Sequence, residues 1–497
     1  PYTTLFRSGS IEAPDAHYSP GGANGSFEPF SSSTVANPGA SRNALTVAAA
    51  NSGQGADANM ADFSSWGPMQ DFTLKPDISA PGGQIVSTGN DDGYKTMSGT
   101  SMAGPFAAGS ATLVMQKLQK ETSLKNAELV QATKALLMNT SQPLLDAMSG
   151  VVVSPRRQGA GQINVGAAVA SPVYITADDG TSSLSLRQIG TNTQFNLTFT
   201  NLSNVDQTYT FDDLGGGFTE KRDDFTGYYY EEQLTGARVN GASKVVVKAG
   251  QTVTVPYTLA LDGVTPDQLV EGWLRFTGDN GQNTLVVPFL GYFGDMTSEE
   301  VLDKKANDAT NVYGGNYFVN EHNYPRGIAD EESLKKLVNL DGDYNWQQVA
   351  KLYQDGKVAF SPNNDNKSDL LKPVAFVKQN LQDLKVVVLD QNGKVVRVVA
   401  DEKGLDKSVY QSDRNQDVSL SVSMRNDPNT FDWDGMVYND KTGEFEVASD
   451  GQYTYRFVAT LYNDGQKKVQ TADYPIIIDT TAPTISNYKL TLDTAAD

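Results

Sequence analysis

The sequence predicts a multidomain protein in which a mixed α/β segment precedes all-β sandwiches. Up to about residue 170, short apolar runs are separated by loops rich in glycine and proline and by two stretches of helical apolar spacing. From residue 172 onward, apolar and polar residues alternate in many short runs, which is typical of strands with one buried face. The length of 497 residues allows two to four domains that each bury a core.

The composition excludes several classes of function. The chain has 59 acidic and 39 basic residues, a net charge of −20, which argues against a nucleic-acid partner because such binding needs a basic surface. It has no cysteine, so it forms no disulfide and offers no thiolate to a metal. No run of about 18 apolar residues predicts a membrane span.

The α/β segment contains predicted strands and helices of ordinary length. The run from Ala44 to Ala50 is almost entirely apolar, which predicts a buried strand, and Ile85 to Thr88 predicts a second one. The stretch from about Asn126 to Asn139 has helical spacing, and Pro143 follows its end. Its apolar face would consist of Leu129, Val130, Ala132, Leu136 and Leu137.

The most informative stretch runs from Met97 to Pro105 and has the sequence Met-Ser-Gly-Thr-Ser-Met-Ala-Gly-Pro. Gly99 permits a tight turn, and the apolar run that follows, to Leu118, predicts a buried helix with Pro105 near its start. Ser101 would then lie at the helix N-terminus, where free backbone donors and the helix dipole can stabilise an oxyanion. The alternative is an ordinary serine cap on a core helix.

The residues Gly99, Thr100, Ser101, Met102, Ala103 and Pro105 resemble the nucleophile segment of the subtilases, the subtilisin-like serine peptidases. Residues 63–68 and 75–82 resemble two further subtilase signatures in the expected order. Residues 154–161, 271–273 and 288–292 resemble parts of lactocepin-type and streptococcal cell-envelope peptidases. The resemblance implies an α/β subtilisin-like catalytic domain, without its N-terminal part, followed by fibronectin type III-like or Ig-like sandwiches. It also implies that Ser101 is the catalytic nucleophile.

The resemblance further implies an aspartate, a histidine and an oxyanion asparagine, and the sequence offers no convincing match for them. The only two histidines are His17 and His322, and neither has the expected Gly-Thr-His context. His17 lies in a loop rich in glycine, serine and proline, where a solvated role is the simpler interpretation. We therefore expect the missing groups to lie upstream of this chain, and we expect the chain alone to be inactive.

The first eight residues, Pro-Tyr-Thr-Thr-Leu-Phe-Arg-Ser, match the translation of a common short-read sequencing adapter. We interpret them as an artefact and exclude them from the fold. The predicted divisions are the artefact at 1–8, the C-terminal portion of the peptidase domain at 9–170, a fibronectin type III-like sandwich at 172–295, a linker or irregular region at 296–345, a second sandwich at 346–480, and the start of a truncated third sandwich at 481–497.

Two further sets of polar residues have two interpretations each. Arg156 and Arg157 can bind an acidic substrate or anchor a domain interface. Residues 360–365 resemble a strand entry that is common in bacterial surface sandwiches, and the oxygens of Asn363, Asp365 and Asp369 are candidate ligands for Ca²⁺. The alternative for these three residues is a solvated acidic turn.

Two functions from different classes follow. The first is a serine endopeptidase at the cell surface or cell wall of a Gram-positive bacterium. It would cleave extracellular proteins or peptides through a Ser101 acyl-enzyme, would require no cofactor beyond the candidate calcium, and would attach to the wall through a region beyond the C-terminus. The second is a non-catalytic surface adhesin or scaffold with a degenerate subtilase domain. The sequence upstream of this chain would discriminate between them.

Overall fold

The structure, a computed structural model, describes residues 9–10, 35–36, 38–51, 59–61, 63–69, 71–145, 150–222, 229–279, 281, 283–295, 300–310, 315–328, 352–378, 381–405, 409–412, 418–421, 430–461 and 468–482. The chain forms two compact units. Unit 1 is Pro1–Ser298 with Asn463–Gly465, and unit 2 is Glu299–Tyr462 with Gln466–Asp497. Among the helices in these ranges, none has the length and apolar character needed to cross a bilayer.

Unit 1 begins with an α/β segment built around two parallel strands. Strands β3 and β4 pair in register from Val47 with Ile78 onward, and every residue of β3 is buried. Helix α1 packs on both strands because the alanines along its inner face allow a close approach. The elements of the segment are β1 Gly9–Ser10, β2 Val35–Ala36, β3 Val47–Ala50, β4 Ile78–Pro81, β5 Ile85–Thr88, β6 Tyr94–Met97, α1 Thr100–Glu121, α2 Asn126–Asn139, α3 Pro155–Gln158 and α4 Val165–Ala170.

Helix α1, for which the sequence predicts a buried helix, is buried on one side and exposed on the other. Ala103, Ala107 and Leu118 are fully buried in the core of the segment. On the other side, Phe106 and Leu113 are 47% and 51% exposed. In the part of the chain that the structure describes, α1 therefore has an exposed apolar strip that contains Phe106 and Leu113.

A two-sheet β-sandwich completes unit 1. One sheet has the order β13-β15-β9-β7, and in the other β16 pairs with β17, β10 and β11. Side chains from both sheets meet in one apolar core. The strands are β7 Val173–Ala177, β8 Leu184–Ile189, β9 Asn192–Asn201, β10 Gln207–Asp212, β11 Gly217–Arg222, β12 Tyr229–Leu234, β13 Ala237–Gly241, β14 Lys244–Val247, β15 Thr252–Leu261, β16 Gln268–Gly278 and β17 Leu285–Phe293.

The α/β segment and the sandwich, which the sequence places in separate domains, belong to one compact unit. The buried amide of Asn139 at the end of α2 donates to the Val286 carbonyl (3.0 Å) and accepts from the Ile175 N–H (2.8 Å). Tyr174 and Leu202 of the sandwich pack against the core of the α/β segment. The two parts therefore share both polar and apolar contacts.

The regular elements in the described part of unit 2 are β-strands. Its main sheet has the order β20-β29-β28-β22-β23, and a smaller one has the order β19-β18-β21. The strands are β18 Tyr317–Val319, β19 Pro325–Arg326, β20 Val358–Phe360, β21 Lys372–Val374, β22 Leu381–Leu389, β23 Val395–Leu405, β24 Val409–Ser412, β25 Val418–Ser421, β26 Met436–Asn439, β27 Glu444–Val447, β28 Gly451–Leu461 and β29 Val469–Ile478.

Part of the predicted linker at 296–345 belongs to the core of unit 2. Val301, Leu302 and Phe318 are buried there, and the Phe318 ring contacts the rings of Tyr455 and Tyr474. This segment is irregular in sequence, so its burial depends on partners more than 130 residues away in the chain. Residues 329–351 and the predicted third sandwich beyond residue 482 lie outside the described residues.

Candidate active site

Ser101 is the second residue of α1, and its side chain is exposed. The turn before it requires Gly99, which has φ 153° and ψ 158°, a conformation that other residues rarely adopt. The Gly99 carbonyl accepts the N–H groups of Met102 (3.0 Å) and Ala103 (3.4 Å) and so begins the helix. Within the described ranges, neither the amide nor the hydroxyl of Ser101 has a hydrogen-bond partner.

This arrangement leaves Ser101 in a favourable electrostatic environment for an oxyanion. No acidic residue lies in the first turn of α1, so the positive end of the helix dipole is not neutralised there. Pro105, the sixth helical residue, cannot donate the hydrogen bond that would otherwise close on the Ser101 carbonyl. The interpretation of Ser101 as a capping residue does not match the geometry, because the cap position is Gly99 and no side chain caps the helix.

Gly82 connects the Ser101 turn to the central strands. Its N–H donates to the Ala50 carbonyl (2.8 Å), and its carbonyl accepts the Gly99 N–H (2.7 Å). A β-carbon at Gly82 would lie 2.6 Å from the Ala49 β-carbon and 2.8 Å from the Gly99 oxygen. Sequence reasoning did not assign Gly82 a role in the site, although it lies in the 75–82 signature.

Neither of the two histidines is placed beside Ser101 in the part of the chain that the structure describes. His17 lies outside the described residues. His322 belongs to unit 2, where its Nε2 lies 3.2 Å from the Asn366 carbonyl oxygen and 3.6 Å from a Glu321 oxygen. The described residues of unit 1 contain no histidine.

Arg156 and Arg157 lie at the junction between α3 and the sandwich, as the interface interpretation predicts. The Arg156 guanidinium is buried and binds both oxygens of Glu271, with Nε at 3.0 Å and Nη2 at 2.8 Å. Its Nη2 also binds Glu220 (3.2 Å). The Arg157 guanidinium stacks on the Trp66 ring, 4.5 Å from the ring centroid. We call Ser154, Arg156, Arg157, Glu220, Glu231 and Glu271 the junction cluster.

Burial shifts the ionisation of this cluster. Burial opposes the charge of Arg156, but the carboxylates of Glu271 and Glu220 outweigh it and raise the pKa of Arg156 above its ordinary value. Burial raises the pKa of Glu220 against the opposing attraction of Arg156 and Arg157. Burial, together with the negative charge of Glu220, raises the pKa of Glu231 to about 8.

The calcium candidates lie together in an exposed turn of unit 2. The Asp369 carboxylate accepts the N–H groups of Asn364 (2.5 Å) and Asn366 (2.6 Å). Asp365 accepts the Lys367 N–H (2.9 Å), and the amide of Asn363 lies 3.4 Å from Asp365. Across the described ranges, no group of three or more His, Cys, Asp or Glu side chains could hold a metal ion. The carboxylates of Asp365 and Asp369 thus accept hydrogen bonds from backbone N–H groups of the same turn.

Two segments of the chain match known families. Residues 21–161 match Peptidase_S8, the subtilase family, and residues 184–290 match the family described as an Fn3-like domain. The predicted fold class, a subtilisin-like α/β part followed by a fibronectin type III-like sandwich, is thereby confirmed. The subtilase match includes Ser101 and its turn, and ends immediately after α3.

Several curated proteins are similar over most of the chain. The PI-type proteinase of Lactococcus lactis subsp. cremoris is 32% identical over 453 residues, which cover 88% of this chain and 23% of that protein. The PII-type proteinase of Lacticaseibacillus paracasei is 32% identical over 461 residues, with the same coverage. The C5a peptidase of Streptococcus pyogenes serotype M6 is 26% identical over 481 residues, covering 85% of this chain and 39% of that protein. The chain thus spans less than half the length of these relatives.

Proposed function

We propose that this chain, whose residues 21–161 belong to the subtilase family and whose residues 184–290 are an Fn3-like domain, is part of a serine endopeptidase that uses Ser101 as its nucleophile. The observation that carries this proposal is the exposed Ser101 at the positive end of α1, held by the Gly99 turn inside the family-matching segment. The three relatives described above are two proteinases and a peptidase, which supports the same reaction.

The reaction would proceed as follows. The Ser101 hydroxyl attacks a peptide carbonyl, and its proton passes to a base. The oxyanion of the tetrahedral intermediate accepts a hydrogen bond from the Ser101 N–H, and the dipole of α1 stabilises its negative charge. The base then delivers the proton to the leaving amine, and water hydrolyses the acyl-enzyme in a second, equivalent step.

The substrates would be extracellular proteins or peptides, and the site of action would be the surface of a Gram-positive cell. The organisms of the similar proteinases support this location, and the strongly acidic composition agrees with a solvent-exposed protein. Attachment to the cell wall through a region beyond this chain belongs to the same proposal. The alternative of a non-catalytic adhesin is not favoured, because the relatives are named proteinases.

The proposal is tested by labelling with a fluorophosphonate probe, which reacts only with an activated serine. The test uses the intact gene product that contains this chain, and compares it with the Ser101→Ala variant. Thr112→Ala is the matched control, because Thr112 is an exposed hydroxyl on the same helix. We expect labelling of the unmodified protein and the control and none of Ser101→Ala. Labelling that persists in Ser101→Ala would exclude Ser101 as the nucleophile.

A further inference from the structure

The buried side chains of the junction cluster include more carboxylates than guanidinium groups. Glu220 of β11 and Glu231 of β12 are directly opposite each other in the antiparallel pair. Glu271 lies on the adjacent strand β16, opposite Phe218 of β11. Like charges that face each other across a strand pair are unfavourable even at the surface, and here all three carboxylates are at most 4% exposed.

Among the side chains that the structure describes, two positive groups face these three carboxylates. Arg156 binds Glu271 with two hydrogen bonds and Glu220 with one, and Arg157 lies 3.7 Å from the second oxygen of Glu220. Among the described residues Glu231 forms no ion pair within 4 Å, although the charge of Arg157 acts on it, and it accepts the backbone N–H of Ser154 (2.8 Å). The neighbouring Lys221 is half exposed and pairs with Glu232, so it does not supply the missing charge.

The hydrogen bonds of the cluster leave one acceptor position open. Glu220 Oε2 is buried and accepts no hydrogen bond from the described residues, although Glu220 Oε1 does. Counted over its described residues, the cluster holds three carboxylates, two guanidinium groups and one carboxylate oxygen without a donor, which leaves it one positive charge and one hydrogen short. A single proton on the Glu220–Glu231 pair supplies both.

We infer that the junction cluster is a proton-dependent latch between α3 and the sandwich, in which the Glu220–Glu231 pair holds one proton and releases it when the junction opens. The latch joins the subtilase-family segment, which ends at α3, to the Fn3-like domain. It is independent of the proposed catalytic role of Ser101, since it concerns only how the two parts of unit 1 are held together.

The direction of the pH dependence follows from proton linkage. The pKa of Glu231 is about 8 in the closed junction, against an ordinary value of 4.5 when the group is exposed to water. The closed state therefore binds the proton more tightly, and its advantage is complete below the ordinary pKa. As the pH rises between the two pKa values, that advantage is lost progressively. The equilibrium constant for opening then increases by at most about tenfold per pH unit. Above about pH 8 no further loss is expected.

Hydrogen exchange of the full chain, followed by mass spectrometry, tests the latch. The reporters are the backbone N–H groups of Ser154 and of residues 156–159, among which the Ser154 N–H donates directly to Glu231. After correction for the intrinsic pH dependence of exchange, we expect their protection to fall about 10- to 100-fold from pH 6 to pH 8. In Glu231→Gln, which keeps an acceptor but cannot ionise, protection should be the same at both pH values.

A second variant of the glutamate pair and a control variant complete the experiment. Glu220→Gln removes the other member of the pair and should be equally independent of pH, because two carboxylates then face two arginines. Glu232→Gln changes the next residue on β12, which is partly exposed and paired with Lys221, and should retain the full pH dependence. A wild-type protection that does not change between pH 6 and pH 8, or the same fall in both Glu231→Gln and Glu220→Gln, would overturn the inference.

Discussion

The carbonyl of Gly82 accepts the N–H of Gly99 at 2.7 Å, and this bond connects the end of β4 to the turn that presents Ser101. There is no room at Gly82 for a side chain, since an added β-carbon would press on Ala49 and on the Gly99 oxygen. We expect Gly82→Ala to destabilise unit 1 by about 1–3 kcal/mol, measured by chemical denaturation.

The control for Gly82→Ala is Gly109→Ala in helix α1. A β-carbon at Gly109 would meet nothing within 4 Å, and the position is an exposed helix interior. Alanine should therefore stabilise the protein there, by about 0.5–1 kcal/mol. Equal effects of the two substitutions would show that the contact at Gly82 does not constrain the turn.

Removal of Arg156 should be among the most damaging single changes in unit 1. Arg156→Met leaves Glu220 and Glu271 buried without their main cation, and the loss of one partner of a buried ion pair costs about 3–5 kcal/mol. Lys248→Met breaks the exposed pair with Asp206 and should change stability little, because exposed pairs are screened by water. Urea denaturation of both variants measures the difference, and similar losses would contradict the assignment of the cluster as buried.

Asn139 should be needed for the contact between α2 and the sandwich. Asn139→Ala leaves the Val286 carbonyl and the Ile175 N–H buried without partners, which costs about 2–4 kcal/mol. Asn240→Ala, at an exposed position of β13, is the control and should be nearly neutral. A loss in Asn139→Ala no greater than in the control would show that the two parts of unit 1 are not coupled through this amide.

The purified chain of 497 residues should cleave casein no faster than its Ser101→Ala variant. In a serine peptidase, loss of the base costs about as much as loss of the whole triad, on the order of a millionfold in kcat. Turnover clearly above that of Ser101→Ala would reveal a base within the chain. His17→Ala would then be the first variant to examine, because His17 is the only histidine of unit 1.

Calcium at millimolar concentration should not raise the melting temperature of unit 2. Asp369 already accepts two backbone N–H groups, and Asp365 accepts one, so a cation would have to displace these bonds. Differential scanning calorimetry of the full chain, with calcium and with a chelator, measures the effect. A calcium-dependent rise that disappears in Asp369→Asn would instead establish Asn363, Asp365 and Asp369 as a site.

Much of unit 1 could be predicted from local patterns. Helix α2 was predicted from Asn126 to Asn139 and has these bounds, because apolar spacing and helix ends are encoded within a few residues. The strand predicted within Ala44–Ala50 is β3, Val47–Ala50. The position of Ser101 at the start of a helix was likewise predicted, because the glycine turn and the apolar run lie next to each other in the chain.

The junction cluster shows where such patterns give no information. The strands β11 and β12 carry Glu220 and Glu231, and glutamates in short segments are typical of solvent-exposed turns, so nothing local indicates buried strands there. Their burial depends on Arg156, which lies 64 residues before Glu220 and 115 residues before Glu271 in the chain. The same applies to Val301 and Phe318, which lie in the predicted linker and are buried in a core that includes the distant residues Tyr455 and Tyr474.

Local sequence therefore determined the helices, most strands and the turn at Ser101, since hydrogen bonding and side-chain spacing within an element depend on neighbouring residues. Tertiary structure alone decided which charged side chains are buried and that the α/β segment packs against the sandwich in unit 1. A buried carboxylate is tolerated only where a cation or a proton compensates it, and that partner is brought close by the fold rather than by the order of residues. For this reason Ser101 could be identified in the sequence, whereas the Glu220–Glu231 pair could not.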